Sequence, residues 1–175
     1  MGRSVVHNVP IPPASLGARA FDRIDYADAY RIAMPDGATT DVDTFARCFL
    51  TATPRWSRML MGVRERAVRL IGLKRITGGS QRDPAAMTFQ PGSRAGIFRV
   101  FARSADEILV GEDDRHLDFR VSLLVREEAG GRSGIVTTVV QYHGWLGQAY
   151  FTPVRLFHRR IVRAMLRETA TRLAR

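Results

Sequence analysis

The stretch Leu117-Asp118-Phe119-Arg120-Val121-Ser122-Leu123-Leu124-Val125-Arg126 decides the fold. Leu117, Phe119, Val121, Leu123 and Val125 share one parity, opposed by Asp118, Arg120, Ser122 and Arg126. Side chains of a strand alternate between its two faces, so the pattern predicts a strand with one buried and one wet face. Upstream, Ile97 to Arg103 reads as a strand, Ser104 to Asp106 as a tight turn, and Glu107 to Glu112 as its partner. Downstream, Gly130-Gly131 and Gly134 flank a turn, and the β-branched run from Ile135 to His143 continues the sheet. Both parities of that last run are partly apolar, which leaves its buried face undecided. Residues 97–143 are thus predicted to form an antiparallel meander.

A sheet with an apolar face needs a cover. The C-terminal residues supply one: they read as helical, with Pro153 a break or a fresh helix start. From Val154 onward, a rotation of 100° per residue places Val154, Phe157, His158, Ile161, Val162 and Met165 on one stripe. Arg159, Arg160, Arg163 and Arg167 lie opposite.

Residues 1–20, with Pro10, Pro12 and Pro13, read as an extended lead-in to a single domain over 21–175. In 24–34, Ile24, Tyr26, Tyr30 and Ile32 share a parity with Asp28 as its polar exception, which predicts a strand closed by Pro35-Asp36-Gly37. Thr40 or Asp41 caps a short helix that buries Phe45, Cys48, Phe49 and Ala52. Thr53-Pro54 opens a second helix with Trp56, Met59, Leu60, Val63, Ala67, Leu70 and Ile71 as its stripe. Residues 74–96 read as a surface connection with a short strand near Met87-Thr88-Phe89. The fold class is therefore α+β: a strand, two short helices, an antiparallel sheet, and a long terminal helix packed on it.

Composition bounds the function classes. Of 175 residues, 45% are apolar and 25% charged, which excludes intrinsic disorder and low-complexity polymer. One cysteine, Cys48, excludes a disulfide scaffold and a Cys-cluster zinc finger. No apolar run reaches the ~18 residues of a membrane span. The N-terminus lacks a secretory apolar core, and Val6 breaks the myristoylation pattern, so a cytoplasmic location is expected. The net charge is +10, and Lys74 is the single lysine. Residues 55–75 and 145–175 each hold seven basic groups and one acid. These are either two solvated helix faces or a surface drawn to something anionic, such as lipid head groups, an acidic ligand or nucleic acid. No helix-turn-helix, RRM, KH or zinc-finger signature is present, which places specific nucleic acid below a weak anionic membrane contact.

Three stretches carry a resemblance: Asp25-Tyr26-Ala27-Asp28-Ala29-Tyr30, Gly111 to Arg120, and Gly147-Gln148-Ala149-Tyr150-Phe151 through Pro153, His158 and Ile161 to Leu166. On these the chain resembles the START-like (SRPBCC) helix-grip superfamily. More narrowly it is similar to an uncharacterised bacterial domain-of-unknown-function branch, sometimes appended to dinucleotide-binding domains. The resemblance implies a curved antiparallel sheet around the C-terminal helix, with an apolar cavity between them. Members bind lipids and other hydrophobic compounds or act as cyclases, aromatase-like enzymes and ring-hydroxylase components. None of the activity-specific motifs is present, so no catalytic residue carries over.

Among individual residues, His158 stands out because it interrupts an apolar stripe. A buried imidazole needs partners for its ring nitrogens, so it is a structural histidine, a ligand contact or acid–base group, or a metal ligand. The histidines show no HExxH pattern, and neither metal nor cofactor is expected. Trp56, Met59, Leu60, Phe119, Tyr142, Trp145, Tyr150, Phe151 and Phe157 either fill the core or wall a pocket. The ligand-binding candidates are His158, Tyr142, Phe119, Trp56, Phe157 and Tyr150, with Tyr142 and His158 as polar anchors. The acidic cluster of Glu112, Asp113, Asp114 and Asp118 reads as a solvated turn with local ion pairs to Arg115, His116 and Arg120, and Cys48 as a small core residue. The expected function is binding of a small hydrophobic or amphipathic molecule between the sheet and the last helix. The alternatives are an enzyme acting on an apolar carbonyl compound through His158, and anionic membrane-surface binding through the arginine-rich helices.

Overall fold

A computed structural model describes residues 5–35, 40–52 and 87–174. Its strands are β1 (His7–Asn8), β2 (Tyr26–Ala33), β3 (Arg94–Ala95), β4 (Phe98–Arg103), β5 (Glu107–Asp113), β6 (Leu117–Glu128) and β7 (Gly131–Tyr142). Its helices are α1 (Val42–Thr51) and α2 (Trp145–Leu173). The strands form one curved, open antiparallel sheet in the order β1-β2-β7-β6-β5-β4-β3. The meander from β4 to β7 is as expected, and β2 closes back onto β7 with Asp28 opposite Thr138. The β6–β7 hairpin turns through Ala129 and Gly130, and Gly131 follows at φ +109°, a conformation only glycine adopts without strain.

The register sorts side chains onto two faces. Tyr26, Asp28, Tyr30 and Ile32 of β2 lie with Gly134, Val136, Thr138, Val140 and Tyr142 of β7 and with Leu117, Phe119, Val121, Leu123 and Val125 of β6. This concave face meets the helices. Asp41 caps α1 by accepting the Thr44 N–H at 2.8 Å. The helix buries Val42, Phe45, Ala46 and Phe49 against it, and the Phe45 ring packs directly against Gly134. α2 packs on β2, on β7 and against α1.

Four expectations are corrected. First, the polar parity of β6 is wet only toward its ends: Arg126 is exposed and Asp118 half-buried, but Arg120, Ser122 and Leu124 are buried. Residues 12–21, which include a 3-10 turn at Gly17–Arg19, lie across it, and Gly17 sits so close that a Cβ there would come within 2.9 Å of Ser122 Cβ. The buried Glu107 carboxylate holds this segment, accepting N–H bonds from Leu16 (2.8 Å) and Gly17 (3.2 Å) and the Ser122 hydroxyl. Arg120 is sandwiched by the Phe101 and Phe21 rings and bonded to Asp113 at 2.6 Å. With both faces covered, β7 has no wet side, which is why both its parities are apolar.

Second, α2 runs unbroken through Pro153. The carbonyl of Ala149, which Pro153 cannot serve, belongs to an exposed residue on the solvent side of the helix, where it is open to solvation. Third, the sheet-facing stripe is Gly147, Phe151, His158, Val162, Leu166, Thr169 and Ala170, with the expected Val154 and Met165 packed against the core beside it. Phe157 lies about 100° away from His158 and is 42% exposed. Trp145, at the first turn, is 75% exposed. Fourth, Met87 to Phe89 form no strand, although Phe89 is buried in the core. The predicted second helix, with Trp56, lies outside the described residues.

Candidate functional site

The site is built around the one carboxylate in the buried parity of β2. Asp28 is directed from the strand onto the concave face, and its side chain is 5% exposed. The Tyr26 hydroxyl donates to Asp28 Oδ2 at 2.5 Å, and the Tyr30 hydroxyl reaches the same oxygen at 3.5 Å. From α2, His158 Nε2 faces Asp28 Oδ1 at 3.4 Å without hydrogen-bond geometry. Phe151, two turns earlier on the same stripe, stacks against Tyr26 (4.9 Å) and Tyr142 (5.8 Å). The His158 ring lies 6.2 Å from Tyr26 and 6.4 Å from Phe151. Arg159 donates to the Tyr26 hydroxyl at 3.4 Å, and the Arg163 guanidinium lies 5.1 Å from the Tyr30 ring centre.

Burial, reinforced by the hydrogen bond to Asp28, holds the Tyr26 phenol well above the ordinary tyrosine range. Burial and the Asp28 charge raise Tyr30, and burial raises Tyr142. All three phenols therefore stay protonated at neutral pH, and those of Tyr26 and Tyr30 donate to Asp28. Other buried polar atoms, by contrast, lack partners. Asp28 Oδ1, Thr138 Oγ1, Glu112 Oε2 and His158 Nε2 are buried with no hydrogen-bond partner among the described residues. Thr138 is the cross-strand neighbour of Asp28, and Glu112 lies opposite Phe119 on the same concave face. Next to them the face is apolar and only half-buried: Phe98 and Phe119 pack edge to face at 5.9 Å, with Val121 beside them.

Of the residues expected at a site, His158, Tyr142, Tyr150 and Phe119 are half-buried, with His158, Tyr142 and Phe119 on or facing the concave side. Tyr150 packs with Tyr142 around the cluster of Tyr26, Leu117, Val140 and Phe151. Phe157 faces outward, and Trp56 is outside the described residues. Asp28, Tyr26, Tyr30, Thr138 and Glu112 were not among the expected site residues. The signal that would have found Asp28 is its own position, a carboxylate in an apolar strand parity. The remaining polar candidates are accounted for structurally. His143 bridges Asp118 (3.0 Å) and the Arg115 carbonyl (3.3 Å). Asp113 pairs with Arg120, and Glu112 pairs with Arg94 through Oε1 while its Oε2 stays without a partner. Burial raises the Cys48 thiol and weakens it as a nucleophile. Among the described residues no three His, Cys, Asp or Glu side chains group to hold a metal ion, and no helix is long and apolar enough to cross a membrane.

The fold and site define an α+β domain in which a curved antiparallel sheet presents a polar cluster to one long C-terminal helix. Residues 20–165 match the family described as Protein of unknown function (DUF2867), and the chain belongs to that family. No curated protein and no solved structure matches it.

Proposed function

We propose that the protein binds a small amphipathic molecule on the concave face, its polar end at Asp28, Thr138 and His158 and its apolar body against Phe119, Val121, Phe98 and Phe151. One observation carries the reading: buried polar atoms without partners converge beside a half-buried aromatic surface. An unsatisfied buried polar group costs about 1–3 kcal/mol, so several on one face call for an occupant that supplies hydrogen bonds. The START-like resemblance supports the same reading, since the first long strand beside the last and the terminal helix across them match the helix-grip arrangement.

A second reading rests on the Asp28–His158 approach. A carboxylate facing one ring nitrogen orients an imidazole as a general acid or base, and the bound molecule would then be a carbonyl compound acted on by His158.

Titration of the purified protein with N-phenyl-1-naphthylamine, a neutral fluorescent amphiphile whose N–H can donate to Asp28, tests the binding, followed by native mass spectrometry of protein purified from cells. Saturable one-site binding that falls at least about tenfold in Asp28→Leu and in Val121→Trp supports the proposal, the loss being about 1.4 kcal/mol. Binding that is absent, or equal in these variants, refutes it. Retained binding in His158→Phe, with no turnover lost on any carbonyl compound that the native protein converts, removes the catalytic reading alone.

A further inference from the structure

Large exposed apolar side chains are concentrated on α2. Trp145, Leu146, Leu156 and Phe157 are 75%, 41%, 65% and 42% exposed; outside α2, Val5 is the only other large apolar side chain so exposed among the described residues. Their spacing is ordered. Leu156 follows Trp145, and Phe157 follows Leu146, by three helical turns, so the four form two adjacent lanes about 16 Å long on the side away from the sheet. Ala149 and Pro153, both exposed, lie between them. The same side continues toward the C-terminus with exposed Arg160 and Arg167, whereas Arg159 and Arg163 reach back to Tyr26 and Tyr30 on the sheet. Arg160 and Arg167 make no ion pair among the described residues.

Water-exposed Trp, Leu and Phe beside unpaired arginines are the composition of a helix that lies in a bilayer interface. The rings and aliphatic chains enter the head-group boundary while the guanidiniums meet lipid phosphates. We infer that the outward face of α2 docks this protein on an anionic lipid bilayer. Charge complementarity selects that occupant: α2 carries six arginines against Glu168, within a chain of net charge +10. The helix does not insert across the bilayer, since it is not apolar enough to span one. The docking face is opposite the Asp28 site, so the inference stands independently of ligand binding there.

Co-sedimentation of the full chain with phosphatidylcholine vesicles, with and without phosphatidylglycerol, tests the inference. Binding is expected to require the anionic lipid and to fall steeply with salt. Arg160→Glu and Arg167→Glu should each lower partitioning about fivefold or more, at about 1 kcal/mol for each arginine. Leu156→Ser with Phe157→Ser should abolish the vesicle-induced blue shift and the quenching of Trp145 by brominated lipid chains. Trp145→Phe removes that optical signal and identifies its source. Four results would overturn the inference: binding indifferent to anionic lipid; loss in neither variant set; equal, salt-sensitive binding to duplex DNA that competes with vesicles; or a Trp145 already shielded from acrylamide in the free protein, which would mean that the chain itself or a second copy covers the face.

Discussion

Replacing Asp28 tests whether the concave polar cluster belongs to folding or to binding. In Asp28→Ala, the Tyr26 hydroxyl loses the acceptor it now holds at 2.5 Å and stays in a largely buried position. Orphaning one such group costs about 1–3 kcal/mol. The Tyr30 contact at 3.5 Å is too long to add much, and deleting the unpartnered Oδ1 removes a penalty that the native protein bears. The net expectation is a loss of about 2 kcal/mol, which for a chain of this size moves the urea midpoint down by about 1 M. Asp28→Asn behaves differently. Its carbonyl oxygen still accepts from Tyr26, and its amide N–H points toward His158 Nε2, where the carboxylate presents no donor. That variant should lie within about 1 kcal/mol of the native protein, while losing the binding that needs an acceptor at this position. Urea unfolding followed by circular dichroism, with dye titration on the same samples, separates the two. Equal destabilisation in Asn and Ala would show that the charge itself holds the fold. Unchanged stability in Ala would show that the Tyr26 bond carries no weight. Either result refutes the reasoning.

Further expectations follow from the same geometry. Glu107→Ala orphans the N–H groups of Leu16 and Gly17 and should cost about 3 kcal/mol. The cost should shrink by more than half in a chain lacking residues 1–20, and equal costs in the two backgrounds by urea unfolding would deny the tether. Gly134→Ala drives a methyl to within 2.6 Å of the Phe45 ring and should lower stability by about 2 kcal/mol, less than additively with Phe45→Leu; strict additivity in thermal melts would count against the packing described. In alkali the raised Tyr26 and Tyr30 phenols keep their protons in the folded state. Their contribution is complete below the ordinary tyrosine value near pH 10 and is lost as pH rises above it, so unfolding should bring a cooperative rise in tyrosinate absorbance rather than a gradual one. Asp41 titrates below the ordinary carboxylate range because the Thr44 hydroxyl and N–H stabilise its charge. Its cap is therefore intact above about pH 4 and fails in acid, and Asp41→Ala should cost about 1 kcal/mol at neutral pH and little in acid by chemical unfolding.

The strands were legible because period two is a local property. Leu117 to Val125 and Tyr26 to Ile32 announce their inner faces residue by residue. The cover on the outer face was not legible, because nothing local to Arg120 or Ser122 shows that residues 12–21 return from a hundred positions away to bury them. Phe157 misled for a related reason. Its hydropathy assigned it to the stripe, yet the rotation of a long helix is set by what packs at both ends, here Gly147 and Phe151 at one and Leu166 to Ala170 at the other. His158 was found because a polar residue inside an apolar periodicity is visible. Asp28 shows the same signal on β2, and only the pairing of β2 with α2 turns two separate exceptions into one site.

The two faces of the sheet treat buried polar groups differently, and that difference is the strongest argument for a ligand. On the outer face, Glu107 is satisfied by two backbone N–H groups and a hydroxyl. Arg120 there is satisfied by Asp113, two carbonyls and two aromatic rings. A polar group kept only for folding is expected to look like this, since each unmet bond subtracts from a small net stability. Thr137 Oγ1 is the single unpartnered atom on that side among the described residues. On the concave face the pattern reverses: Asp28, Glu112, Thr138 and His158 each retain an unmet valence, and three of them sit on β2, β7 and α2 where those elements meet. At Thr138 and His158, which make no hydrogen bond among the described residues, an apolar side chain would serve the fold at lower cost. Their retention beside Phe119 and Phe151 is accounted for if the missing partners arrive with a bound molecule.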